Sequence, residues 1–123
     1  MITIALFIFA GLCNANMDAL KFRWGAYRWA GPLYKYAGPN SWMRKYKDCD
    51  PEKGPWFPGA TTIFVFVTDF WHLSQMLWRV AVTLGAVLYQ PISPGGWAGD
   101  FVILSAAYLI AFNIGFEKIF VKK

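Results

Sequence analysis

Asp69 and His72 stand three residues apart, and Gln75 and Arg79 continue the same spacing inside an apolar run over residues 61–89. Residues three or four apart share a helix face, so this spacing predicts a stripe of carboxylate, imidazole, amide and guanidinium. A carboxylate beside an imidazole can hold a divalent metal, relay protons near neutral pH, or lock helices together by hydrogen bonds. Ionisable groups within a membrane-crossing stretch are costly, so such a stripe should face protein or a cavity.

Other polar residues can reach that stripe if the helices alternate in direction. Asn14 and Asp18 close the first apolar block, and Asn113 and Glu117 close the last. In an alternating bundle they lie at about the depth of Asp69 and His72, so the expected polar cluster is Asn14, Asp18, Asp69, His72, Gln75, Asn113 and Glu117. Asp18, Asp69 and His72 are the candidate metal ligands, although one histidine in 123 residues is a thin basis for a metal site. The cofactor is left open, and none is required. Arg79 pairs with Asp100 or snorkels to a lipid phosphate. Ser41, Ser74, Ser93 and Ser105 have no base nearby in sequence, and there is no glycine-rich phosphate loop, so nothing in the chain calls for an enzyme.

The elements that would position these groups are apolar blocks. Hydrophobic residues make up 57% of the chain and charged residues 15%, against about 25% charged in soluble domains. The apolar residues gather into three blocks, with charges between or after them, where a soluble domain would interleave the two. The expected fold is an all-α membrane domain over 1–123 with three transmembrane helices, at about 2–22, 61–90 and 100–120. Rows of small residues, Gly11, Ala15 and Ala19 in the first helix and Ala107, Ala111 and Gly115 in the last, mark packing faces. The first block lacks the basic flank of a secretory signal, and Cys13 and Cys49 would lie in different environments, so no disulfide is expected.

Between the first two helices, residues 23–58 mix tryptophan and tyrosine with basic side chains and five of the seven prolines. Aromatic and cationic residues favour the headgroup level, so Arg23, Trp24, Arg28, Trp42, Arg44, Lys45 and Lys47 are expected at lipid headgroups. A folded cytoplasmic cap whose aromatics pack on one another is the alternative. The net charge of +5 would also suit nucleic acid, but its distribution does not. Apart from Arg79, basic residues lie in 21–53 and at Lys118, Lys122 and Lys123, while 91–99 has none. Positive charge marks the cytoplasmic side, so the chain should sit in the inner membrane with its amino terminus outside and its carboxyl terminus inside, and no nucleic-acid partner is expected.

The pattern Cys13-Asn14-Ala15-Asn16-Met17-Asp18, then Asn40-Ser41-Trp42, Asp50-Pro51, Phe57-Pro58-Gly59 and Thr68-Asp69-Phe70-Trp71-His72 resembles a group of uncharacterised small integral membrane proteins of Bacteroidota and their phages. The resemblance covers about residues 13–75. Those relatives often carry a histidine shortly after the Met-Asp pair, where this chain has Phe22 and Arg23. The resemblance implies class and location, and no activity. The expected role is a structural or accessory subunit of an oligomer or larger membrane complex, with membrane lipids and other subunits, or copies of itself, as partners. A holin-like pore or ion or proton conductor is the alternative, and a metal-dependent membrane enzyme the third reading.

Overall fold

A 21-residue helix, α1 (Ile2–Phe22), forms where the chain offers an unbroken apolar run without proline. It stops at Arg23, whose φ of −131° leaves the helical region while its N–H still bonds Ala19 O. The computed structural model describes residues 1–122, so the basic position expected at Lys123 lies outside the described residues. A one-turn helix α2 (Tyr34–Ala37) lies in the long connection, and α3 (Phe70–Val87) and α4 (Gly96–Ile114) follow, with α4 continuing as a π turn over Gly115–Phe120. The described residues are all-helical apart from turns and two isolated antiparallel bridges.

α1 is the centre of the bundle. It packs along both α3 and α4, which make little contact with each other. Its buried residues accordingly lie on more than one face, from Ala10 and Gly11 to Asn16, Ala19 and Leu20. Thr3 Oγ1 donates to Leu88 O at 3.3 Å at one end, while Ala19 and Leu20 meet Phe70 and Trp71 at the other, so α1 and α3 are antiparallel. Gly11 backs onto Ala111 and Phe112, and Ala15 onto Gly115, so α1 and α4 run parallel with their small-residue rows face to face.

Both α1 and the stretch Gly96–Phe120 are long and apolar enough to cross a membrane. α3 does not reach that combination, because His72, Gln75 and Arg79 dilute its 18 residues. It also begins at Phe70, where a start near residue 61 was expected. Thr61, Thr62, Ile63, Val65, Val67 and Thr68 are β-branched and lose side-chain freedom in a helix, and Asp69 caps the helix that follows. Residues 61–69 are therefore turns and one 3₁₀ segment. The last helix begins at Gly96, ahead of the expected 100, because Asp100 lies in its second turn and its carboxylate binds the preceding loop.

Residues 24–37 fold across the end of the bundle where α1 and α4 finish and α3 starts. Tyr27, Ala37 and Val121 join Ala19 and Leu20 in a buried core, with Trp24, Leu33 and Phe120 packed on it. Arg28 ties this cap to the end of α4. Its backbone N–H donates to Phe120 O at 2.7 Å, Nε to Ile119 O at 2.7 Å and Nη2 to Lys118 O at 2.8 Å. Final carbonyls of a helix lack intrahelical donors and carry partial negative charge, so a guanidinium there satisfies both needs. The following residues 41–57 are short 3₁₀ turns around a tight loop closed by the Tyr46–Pro55 bridge.

Candidate functional site

The candidate site is the amino-terminal turn of α3, where it emerges beneath the cap. Asp69 has extended backbone angles and is 1% exposed. Its Oδ1 accepts the His72 backbone N–H at 3.0 Å, the bond an N-cap makes to an otherwise unpaired donor. Its Oδ2 lies 2.6 Å from His72 Nδ1. With Nδ1–H donated to the carboxylate, Nε2 is left as an acceptor, and the ring is oriented by a buried partner. The His72 side chain is 21% exposed, so the ring is not sealed from its surroundings. Trp71 stands edge-on to the ring at 5.0 Å, and the buried Thr68 hydroxyl donates to Val65 O at 2.7 Å beside Asp69.

The cap supplies the next layer. Tyr36 packs on Phe70 at 5.9 Å, and its phenol is held above its ordinary pKa by burial first and by the Asp69 charge second, with Arg44 opposing. What the arrangement offers is an imidazole fixed by a buried carboxylate at a bundle end, suited to accepting a proton or a single coordinate bond. Among the described residues no three of His, Cys, Asp and Glu converge as a metal would need.

Asp69 therefore serves two partners, and two substitutions separate them. Asp69→Ala should cost about 1 kcal/mol of stability through loss of the cap. Asp69→Asn keeps an acceptor for the His72 N–H and should cost much less, yet it removes the charge that selects the Nδ1–H tautomer. In the neutral ring, imidazole ¹⁵N shifts should place the proton on Nδ1 in the native chain and on Nε2 in Asp69→Asn, whose Nδ2–H2 would donate to Nδ1; a neutral native ring protonated only at Nε2 would contradict the geometry.

The other expected members of the cluster are placed differently. Asn113 is exposed, with Nδ2 donating to Leu109 O of its own helix at 2.8 Å, and Glu117 is exposed on the π turn. The parallel packing of α4 on α1 through Ala111 and Gly115 turns these two residues away from the interior. Asn14, Asp18 and Gln75 are half-buried and are not among the hydrogen-bond partners of Asp69 or His72. Arg79 is exposed, and Asp100 is occupied elsewhere, accepting from Tyr89 OH at 2.6 Å, Ile92 N at 2.9 Å and Ser93 N at 2.7 Å. That bond raises the pKa of the Tyr89 phenol.

Sequence reasoning missed the polar group that joins the cap to both α1 and α3. Asn16 Nδ2 donates to Ser74 Oγ at 2.8 Å, Tyr27 OH donates to Asn16 Oδ1 at 2.7 Å, and Ser74 Oγ donates to Phe70 O at 2.8 Å. All three residues are buried, and they join α1, α3 and the cap. Burial alone raises the pKa of the Tyr27 phenol, so it stays a donor. A second link joins α3 to α4, with Trp78 Nε1 donating to Tyr108 OH at 3.2 Å.

The residues expected at headgroups also divide. Arg28 is committed to carbonyls, and Trp24 stacks on Tyr27 at 5.6 Å, so both are structural parts of the cap. Arg44 donates to Lys35 O at 3.0 Å and lies over the Tyr36 ring at 5.5 Å. Lys45 lies over Trp42 and Tyr46 at 5.9 and 5.4 Å, while Arg23, Trp42 and Lys47 face outward. Comparison with protein-family models, with curated proteins and with solved structures finds no match to this chain.

Proposed function

We propose that this chain is a three-helix integral membrane protein of the inner membrane that serves as a structural or accessory subunit of an oligomer or larger membrane complex. The observation that carries the reading is the outer surface of α4. Phe101, Val102, Leu109 and Ile110 are between 56% and 68% exposed there. A soluble protein would leave this row of large apolar side chains in water, whereas lipid or a neighbouring subunit would cover it. The Asn16 and Asp69 networks are turned inward, and the exposed Asn113 of α4 satisfies its Nδ2 on Leu109 O of its own helix.

α3 is the third crossing in this reading. Its 18 residues measure about 27 Å at 1.5 Å per residue, close to the roughly 30 Å hydrocarbon core. Its antiparallel packing on α1 puts the cap and the carboxyl end on one side, both basic, and the uncharged residues 91–99 on the other. The irregular stretch 61–69 exposes Ile63, Phe64 and Val67, and unpaired backbone is not tolerated among lipid tails, so it belongs at headgroup level. The amino terminus is then outside and the carboxyl terminus inside.

The test is fractionation with topology reporters. The chain should stay in membranes through alkaline carbonate, and alkaline phosphatase should be active when inserted after Gly95 and inactive when fused after the last residue. Extraction in mild detergent should give a native mass well above 14.0 kDa of protein. Recovery as a detergent-free soluble monomer overturns the membrane reading, and a lone protomer in detergent and in native membrane overturns the subunit role.

A further inference from the structure

The end of the cap and the 3₁₀ turns that follow it carry a second candidate site, separate from Asp69 and His72. A cleft of about 600 Å³ opens among its turns, inside the range of about 300–1,000 Å³ typical of small-molecule sites. Lys35 and Arg44 line it with the Ser41 hydroxyl, and the rings of Tyr46 and Trp56 form its walls. Arg44 is held in place by its Nη1 bond to Lys35 O at 3.0 Å and by the Tyr36 ring, which leaves its other N–H groups available to a ligand. The carboxylate on the rim, Asp48, pairs with Lys53 at 3.1 Å, so it does not cancel the two cations.

A fixed guanidinium, an ammonium and a hydroxyl together suit a phosphate, and aromatic walls suit an apolar part attached to it. Tyr34 and Lys35 set the cleft beside the cap that closes the bundle end, and rings of this kind settle at headgroup level. From this placement we propose that the cleft binds the phosphate-bearing head of an anionic membrane amphiphile, with Lys35 and Arg44 on the phosphate and Tyr46 and Trp56 against the apolar part next to it. This inference rests on the membrane reading above and gives the cap a role in choosing the lipid the subunit keeps.

The experiment is native mass spectrometry of the protein released from nanodiscs of phosphatidylcholine doped with phosphatidylglycerol. The native chain should retain phosphatidylglycerol selectively. Lys35→Glu should weaken that retention about thirtyfold, since a basic residue near an anionic surface contributes about 1 kcal/mol and reversal counts twice. Lys35→Ala should show a smaller loss, and Lys122→Glu, at the same end but outside the cleft, should change it little. Thermal melting checks that each variant is folded. Equal retention by the native chain and folded Lys35→Glu overturns the proposal. Binding of inorganic phosphate without preference among lipids overturns its amphiphile part. Short-chain, water-soluble phosphatidylglycerol separates this from the membrane reading, because the cleft should bind it even if carbonate releases the chain from membranes.

Discussion

Gly11→Val should destabilise the bundle by about 3 kcal/mol, the upper part of what overpacking costs, and should show as a sharp drop in melting temperature in detergent. A Cβ added at Gly11 would fall on the carbonyl oxygen of Tyr108, with the Ala111 Cβ at 3.1 Å and the Phe112 nitrogen at 3.2 Å. Two of those neighbours are backbone, which cannot swing aside as a side chain can. The only relief is to move α4 away from α1, and that opens the contact between Ala15 and Gly115 one turn further along, where an added Cβ would lie 2.9 Å from the Ala15 Cβ. Gly25 is the control, since nothing lies within 4 Å of a Cβ added there, and Gly25→Val should be close to neutral. If both valines cost the same, the loss reflects substitution of glycine in general and the α1 to α4 contact is not what holds the helices together. Under the membrane reading proposed above, this contact matters more than its area suggests, because helix association in lipid depends on close packing rather than on exclusion of water.

That contact was legible in the sequence. Spacing of four among Gly11, Ala15 and Ala19 and among Ala107, Ala111 and Gly115 marks two faces, and an uninterrupted apolar run marks the two helices that carry them. The start of α3 was not legible, because Asp69 sits within an apolar block and reads as an interior residue of a helix. Only the backbone angles reveal it as a cap, and the β-branched run ahead of it is a weak signal against the pull of hydropathy. The pairing of Asp69 with His72 survives this change for a local reason: residue three of the first turn lies over the cap whether or not a helix precedes it. Asn113 and Glu117 were misjudged for the opposite reason. Depth along the bundle follows from helix direction, but the face a residue presents depends on rotation about the helix axis, and that is set by the packing of Ala111 and Gly115.

Asn16→Ala should cost about 3 kcal/mol, since it removes two buried hydrogen bonds and leaves the Tyr27 hydroxyl with no acceptor, at about 1–3 kcal/mol for each buried group left unpaired. Asn16 is 3% exposed and Tyr27 2%, so water cannot readily replace the lost partner. Asn16→Leu restores much of the volume and none of the polarity. It should therefore cost nearly as much, and a mild effect would mean that filling space is what counts. Tyr27→Phe alone should cost less than Asn16→Ala, and the double variant should fall short of the sum by about 1 kcal/mol, the coupling expected of partners in one network. Strict additivity would show that the 2.7 Å contact between Tyr27 OH and Asn16 Oδ1 contributes nothing. The consequences should also be local. Tyr27 packs between Trp24 and Phe120, so releasing its hydroxyl frees the cap more than the helices. Hydrogen exchange in Asn16→Ala should accelerate over residues 24–37 and at Lys122, whose N–H bonds Ala26 O at 2.7 Å, while amides in the middle of α4 stay protected. Because Tyr36 and Phe70 lie on the path from that cap to Asp69, a loosened cap should also expose His72, and uniform exchange across the whole chain would instead mark the Asn16 network as a lock on the entire bundle.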